Sequence, residues 1–176
     1  GIKAGATYVN TTINGLGERA GNAAFEELIM ALKYIENVDL GFNTTLLRSL
    51  SEYVANASSR VLPTWKPIVG GNLFVYEGEN KAAAVLKDPS TFELFSAEDV
   101  GLERKIIVGK YSGIASLTAK LKSLGYSIEE AQAKELVEIL REKAVALKRS
   151  LFDSEIIDTY KSFIGKKDKS SKKGGK

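Results

Sequence analysis

Apolar residues recur at three- and four-residue spacing over most of this chain and gather into only a few short runs. Residues 6–13, "ATYVNTTI", are β-branched and aromatic and predict a strand. A glycine-rich turn follows. Phe25, Leu28, Ile29 and Leu32 then give a helix over about 22–35 a single apolar face. Strand, short loop and helix make half of a βαβ unit, which leaves the strand in need of ladder partners.

Thr44 or Thr45 is expected to cap a second helix running to about Leu62, with Leu46, Leu50, Tyr53, Val54, Ala57 and Val61 as its inward stripe. Pro63 and Pro67 frame an extended connector. "IVGGNLFVYEG" predicts a short strand bent at Gly70-Gly71, residues 79–86 a short helix, "KDPSTFELF" a turn with a brief helical piece, and "RKIIVGK" a strand. Ser112 is placed to cap a helix through Leu124, stopped by Gly125. Ser127 and Glu130 have capping-box spacing for a helix to about Ser150, with Leu136, Leu140, Ala144, Leu147 and Leu151 along one face. A last helix over 154–164 presents Ile156, Ile157, Tyr160 and Phe163. No internal repeat is present.

Composition narrows the chemistry. The 176 residues contain no cysteine and no histidine, which excludes disulfides, thiolate metal sites, a Ser-His-Asp triad and any imidazole-ligated metal built by this chain alone. No apolar run approaches the length of a membrane span. The opening "GIKAGATYVN" has neither Met nor a signal-peptide pattern, and is read as cytoplasmic and as open to being a piece of a longer chain. The net charge of +3 hides an asymmetry: the last twelve residues, "GKKDKSSKKGGK", carry +5, so residues 1–164 carry −2. That terminus has no aromatic or apolar anchor and is expected to be a disordered tail over 165–176; nucleic acid is not an expected partner.

"INGLGERAGN" is the stretch with the most chemistry. Its Gly15-x-Gly17-x-x-x-Gly21 spacing is one residue longer than a dinucleotide fingerprint and lacks the Gly-Lys-Ser/Thr end of a phosphate loop. Glycines here free the backbone for a strand-to-helix corner. Glu18 and Asn22 offer oxygens suited to a hard divalent cation, though two ligands do not hold a metal. Glu18 and Arg19 serve equally as a buried ion pair steadying the loop.

"AGATYVNTTINGLGERAGNAAFEELIMAL" resembles the last strand and helix of the catalytic barrel in the homocitrate synthase and 2-isopropylmalate synthase family. "KPIVGGNLF", "LKDPSTFELFSAEDVGLERKIIVGKYSG" and "LKSLGY" resemble, in order, the region that follows that barrel, with wording closest to the homocitrate synthases of nitrogen-fixing bacteria. The resemblance covers about residues 1–150.

It implies condensation of acetyl-CoA with a 2-oxo acid, assisted by a divalent metal (Mg, Mn or Zn), followed by thioester hydrolysis. In the family the Asn closing GERAGN lies at the metal, which implies Asn22 as a ligand and Glu18 and Arg19 as loop residues of the substrate region. The remaining ligands, an Asp and a His-x-His pair, belong to earlier barrel strands that this chain lacks. After the barrel the family usually reads H-E-x-G-I-H. Here the run is "YEGENK", with Glu77 kept, Tyr76 for the first His and Lys81 for the second; the usual GKHSG is "GKYSG", with Tyr111 for His. Tyr76, Glu77, Lys81 and Tyr111 are therefore the candidate catalytic positions. Solvated or packing roles fit the three substituted residues as well.

The resulting expectation is an α/β to mostly helical chain: a terminal βα unit of a TIM-type barrel (1–36), a linker helix and connector (37–69), a small α+β lid subdomain (70–125), a helical subdomain (126–164) and the tail. It would be the carboxy-terminal subunit of a split homocitrate synthase acting on acetyl-CoA and 2-oxoglutarate. Inactive alone, it would need a complementary barrel chain for the metal, in a hetero- and homo-oligomer. The competing accounts are a non-catalytic module derived from such a lid, and a fragment of a longer enzyme.

Overall fold

The computed structural model describes residues 1–171, the last six by backbone alone. It is mostly helical: α1 (Phe25–Tyr34), α2 (Leu47–Ala57), β1 (Val75–Tyr76), α3 (Glu79–Lys87), β2 (Lys105–Ile106), α4 (Ile114–Ser123), α5 (Glu130–Leu147) and α6 (Asp153–Ser171). The two strands pair in parallel, Val75 with Lys105 and Tyr76 with Ile106. The chain divides into two compact units, one formed by Gly1–Phe74 with Glu93–Arg104, the other by Val75–Phe92 with the residues from Lys105 onward. The first boundary thus lies at Phe74, within the expected lid, and Glu93–Arg104 returns to the first unit.

In the first unit the expected strand over 6–13 is not formed. The backbone there is irregular, with 3-10 turns at Ile2–Ala4 and Ile13–Gly15, and its only bridge is an isolated parallel one between Thr12 and Ala24. Strand propensity needs a neighbour to supply the ladder, and a single bridge cannot hold an extended run. α1 follows as expected and buries Ile29, Met30 and Leu32. Ile29, Met30, Leu47, Val69, Phe74, Ala97 and Val100 form one core, with Phe95 stacked edge-on against Phe74.

α2 turns a different face inward from the one its large apolar residues suggest. Leu47, Ser51 and Ala55 are buried, whereas Leu46, Leu50 and Tyr53 are exposed, Tyr53 by 71%. Both stripes run at three/four spacing. Ser51 decides between them: its hydroxyl donates to Asn14 Oδ1, and its carbonyl accepts from Asn14 Nδ2 at 2.9 Å. Arg48 Nη1 donates to the Val69 carbonyl at 2.5 Å from the same side.

In the second unit Val108, Leu117, Leu121, Leu136, Val137, Leu140, Ala144, Leu151, Ile156 and Phe163 form a single core, so α4, α5 and α6 meet through their expected apolar faces. Leu147 is the exception and is exposed. α6 is capped by Glu155, whose carboxylate accepts from the Phe152 N–H at 2.8 Å. The helix continues through Ser171, so residues 165–171 of the expected disordered tail are helical; 172–176 lie outside the described residues.

Candidate functional site

The glycine corner of the first unit is built by backbone conformation. Asn14, Gly15, Arg19 and Gly21 all have positive φ, at 62°, 70°, 55° and 97°. A Cβ on Gly21 would collide with the Gly15 carbonyl oxygen, which is why only glycine closes this turn. The Asn22 N–H donates to the Gly15 carbonyl at 2.9 Å and its side-chain amide to the Leu16 carbonyl at 3.3 Å. Behind the corner, Glu26 is 1% exposed; its Oε2 accepts from the Asn14 N–H at 3.1 Å, and its Oε1 lies 3.1 Å from Lys66 Nζ. Lys66 also meets Glu27 at 2.7 Å. Burial pulls the Lys66 ammonium down, but the Glu27 and Glu26 carboxylates outweigh it and hold its pKa above the usual value.

Glu18, Arg19 and Asn22 themselves are exposed. No ion pair joins Glu18 to Arg19, so the corner is steadied by Glu26 and Lys66 instead. Asn22 offers one carboxamide oxygen, and among the described residues no three His, Cys, Asp or Glu side chains gather as a metal site. The residues present do not fit a metal by themselves.

In the second unit, "YEGENK" and "GKYSG" come together although twenty-seven residues lie between them. Tyr76, Glu77, Lys81 and Tyr111 all line one open hollow of about 560 Å³. Glu77 Oε1 accepts from the Tyr111 N–H at 3.0 Å, and a Cβ on Gly109 would stand 2.5 Å from the same oxygen. Ser112 Oγ accepts from the Gly109 N–H at 2.9 Å and lies 3.2 Å from the Glu77 and Ile107 carbonyls as donor. The Tyr111 ring is 63% exposed, with Lys110 Nζ 4.6 Å above it. Tyr76 is half-buried and Lys81 exposed.

Sequence reasoning missed the residues that hold this loop. Glu79, not Ser112, caps α4: its carboxylate accepts from the Ala115 N–H at 2.8 Å and the Ser116 N–H at 3.2 Å. Arg141 Nε donates to the Ser112 carbonyl at 2.6 Å. The capping-box pair Ser127 and Glu130 makes no cap; the Ser127 carbonyl accepts from the Tyr160 hydroxyl at 2.8 Å instead. A cap reaching across thirty-six residues has no local spacing signal. Chemically the hollow places a fixed carboxylate beside two phenols and an ammonium, groups able to hold an anionic substrate and pass a proton.

Two family descriptions divide the chain: "HMGL-like" matches residues 1–54, and "Homocitrate synthase post-HMGL domain-like" matches 68–148. The chain belongs to the homocitrate synthase and 2-isopropylmalate synthase family. It carries the end of the HMGL-like domain and the post-HMGL domain of that family. It is similar to 2-isopropylmalate synthase 2 of Caldanaerobacter subterraneus subsp. tengcongensis, 50% identical over 166 residues, covering 94% of this chain and 43% of that one. Homocitrate synthase 1 of Nostoc sp. is 45% identical over 161 residues, 92% of this chain and 43% of the relative. A homocitrate synthase of Methanopyrus kandleri is 44% identical over 140 residues, 80% and 35%. The chain therefore spans less than half the length of these family members. HMGL-like enzymes use a divalent metal, and among the described residues no group of three His, Cys, Asp or Glu side chains could hold one. No helix among them is long and apolar enough to cross a membrane.

Proposed function

We propose that this chain is the carboxy-terminal part of a homocitrate synthase-type acyltransferase, condensing acetyl-CoA with a 2-oxo acid once a complementary barrel chain supplies the rest of the active site. The observation that carries the reading is the common hollow lined by Tyr76, Glu77, Lys81 and Tyr111. These are the positions at which the family sequence has Glu or His. Lys81 would hold the carboxylate of the oxo acid, Tyr111 or Tyr76 would donate a proton, and Glu77 would fix the loop that carries Tyr111. The metal supplies electrophilic polarisation of the oxo acid in such enzymes. Asn22 is the one oxygen donor this chain would bring to it, with Glu18 and Arg19 as neighbouring loop residues.

The oxo acid proposed is 2-oxoglutarate. The match to a 2-isopropylmalate synthase makes 2-oxoisovalerate the competitor, since its condensation with an acetyl unit yields 2-isopropylmalate. A non-catalytic role is favoured by a different observation: Glu77 and Glu79 are both engaged in holding the 109–116 loop, as a purely structural lid would require.

Affinity capture of this chain from its native lysate, with partners identified by mass, separates the readings. A partner bearing the earlier barrel strands, and CoA release with 2-oxoglutarate only when both chains are present, is the expected result. A complete synthase as partner, with unchanged turnover on removing this chain, would replace catalysis by the lid-derived module.

A further inference from the structure

Glu77 also lines a second hollow of the same unit, about 370 Å³ in volume, whose other polar walls are Lys110, Lys148, Arg149 and Ser150. The hollow is within the size range of small-ligand sites. Its lining carries three cationic side chains against one carboxylate.

The three cations are not equivalent. Arg149 is engaged by Glu155, with Nη1 and Nη2 at 2.9 and 2.8 Å from its carboxylate oxygens. Lys110 lies over the Tyr111 ring, and neither it nor Lys148 has a carboxylate within ion-pair distance among the described residues. Lys148 stands at the end of α5 in the left-handed conformation, φ 55°, which turns residues 148–150 around the hollow. The helix end would repel an anion if its carbonyls were bare. The two carbonyls of residues lining the hollow are covered: the Lys148 N–H donates to Val145 and the Arg149 N–H to Ala144, at 3.2 and 3.3 Å.

We infer that this hollow is a binding site for a phosphate or diphosphate group, gripped by Lys110 and Lys148 with the Ser150 hydroxyl as an additional donor. Two lysines with no carboxylate within ion-pair distance among the described residues, on the rim of a concave site with excess positive charge, are point donors suited to a compact multivalent anion. With coenzyme A as the ligand the inference rests on the condensation reading; with free phosphate it stands apart from it, because it concerns an anion and not a reaction. The phosphate could be free, or be the diphosphate of a nucleotide-bearing ligand.

The test is calorimetric titration of the full chain with pyrophosphate and, separately, with coenzyme A, at ionic strength matched with sodium chloride. Saturable binding of both is expected, with each weakened about tenfold or more by Lys148→Gln and by Lys110→Gln. Coenzyme A binding tighter than pyrophosphate would identify a nucleotide-bearing ligand; equal affinities would identify a free phosphate site. Lys134→Gln, on the exposed side of α5, should leave binding unchanged. Unaltered affinity in both hollow variants would overturn the site, as would loss of binding when Lys172, Lys173 and Lys176 are changed to Gln instead.

Discussion

The Glu79 carboxylate, in the first turn of α3, accepts a hydrogen bond from the Ala115 N–H at 2.8 Å and so caps α4 from thirty-six residues away. The first turn of any helix has amide groups without intrahelical partners, and a carboxylate there is favoured by both hydrogen bonding and the helix dipole. Ser116 Oγ, 3.3 Å from the same carboxylate, ties the cap to the loop that carries Tyr111.

Glu79→Ala should therefore destabilise the chain by about 1–2 kcal/mol, with Glu79→Gln losing less because an amide oxygen still accepts. Urea unfolding followed by far-ultraviolet circular dichroism measures both. Equal midpoints for wild type and Glu79→Ala would show that the cap contributes nothing.

The buried pair behind the glycine corner gives a prediction of opposite character. Lys66→Met leaves Glu26 charged, 1% exposed and without its cation, and should cost about 3 kcal/mol. Adding Glu26→Gln removes the stranded charge and should recover most of that loss. A double variant no more stable than Lys66→Met would mean that Glu26 is not paired in the way described.

Gly21→Ala introduces a side chain at φ 97° against the Gly15 carbonyl oxygen, whereas Gly41→Ala, at φ 75°, meets nothing within 4 Å. Both carry the strain of a left-handed residue, roughly 1 kcal/mol. Only Gly21→Ala adds a backbone collision. Thermal unfolding should rank Gly21→Ala clearly below Gly41→Ala, and the reverse order would count against the corner geometry.

Glu155 supplies a pH dependence. The Arg149 guanidinium, then the Phe152 N–H, hold its carboxyl at about 2, below the ordinary 4.5. The folded value is depressed, so the stabilisation is fully present above pH 4.5 and is lost as pH falls from there through 2. Urea midpoints between pH 6 and 2.5 should fall more steeply for wild type than for Glu155→Gln, and added salt should narrow the difference. Parallel curves would remove Glu155 from the account.

The exposed apolar residues predict association. Ile2, Val9, Leu28, Ile35 and Val38 line a hollow beside α1, and Tyr53, Val61 and Trp65 are exposed elsewhere in the first unit. Such surface favours self-association in water. Sedimentation velocity at micromolar concentrations should show species heavier than the 19.1 kDa monomer. A single monomeric boundary would contradict it.

Local patterns in the sequence determined a good deal: the helices with one clear apolar stripe, the Gly125 stop at φ 82°, the glycine corner, and the family to which these segments belong. Each depends on neighbours within a few residues, where spacing and backbone sterics suffice. The candidate positions Tyr76, Glu77, Lys81 and Tyr111 were legible by type, but not that one hollow gathers them. Only the tertiary structure decided that residues 6–13 form no strand, that α2 buries Ser51 and not Leu50, and that Glu79 caps α4 where Ser112 was expected. A ladder, a buried face and a distant cap are all set by which groups lie opposite in space. Neither propensity nor periodicity contains that information.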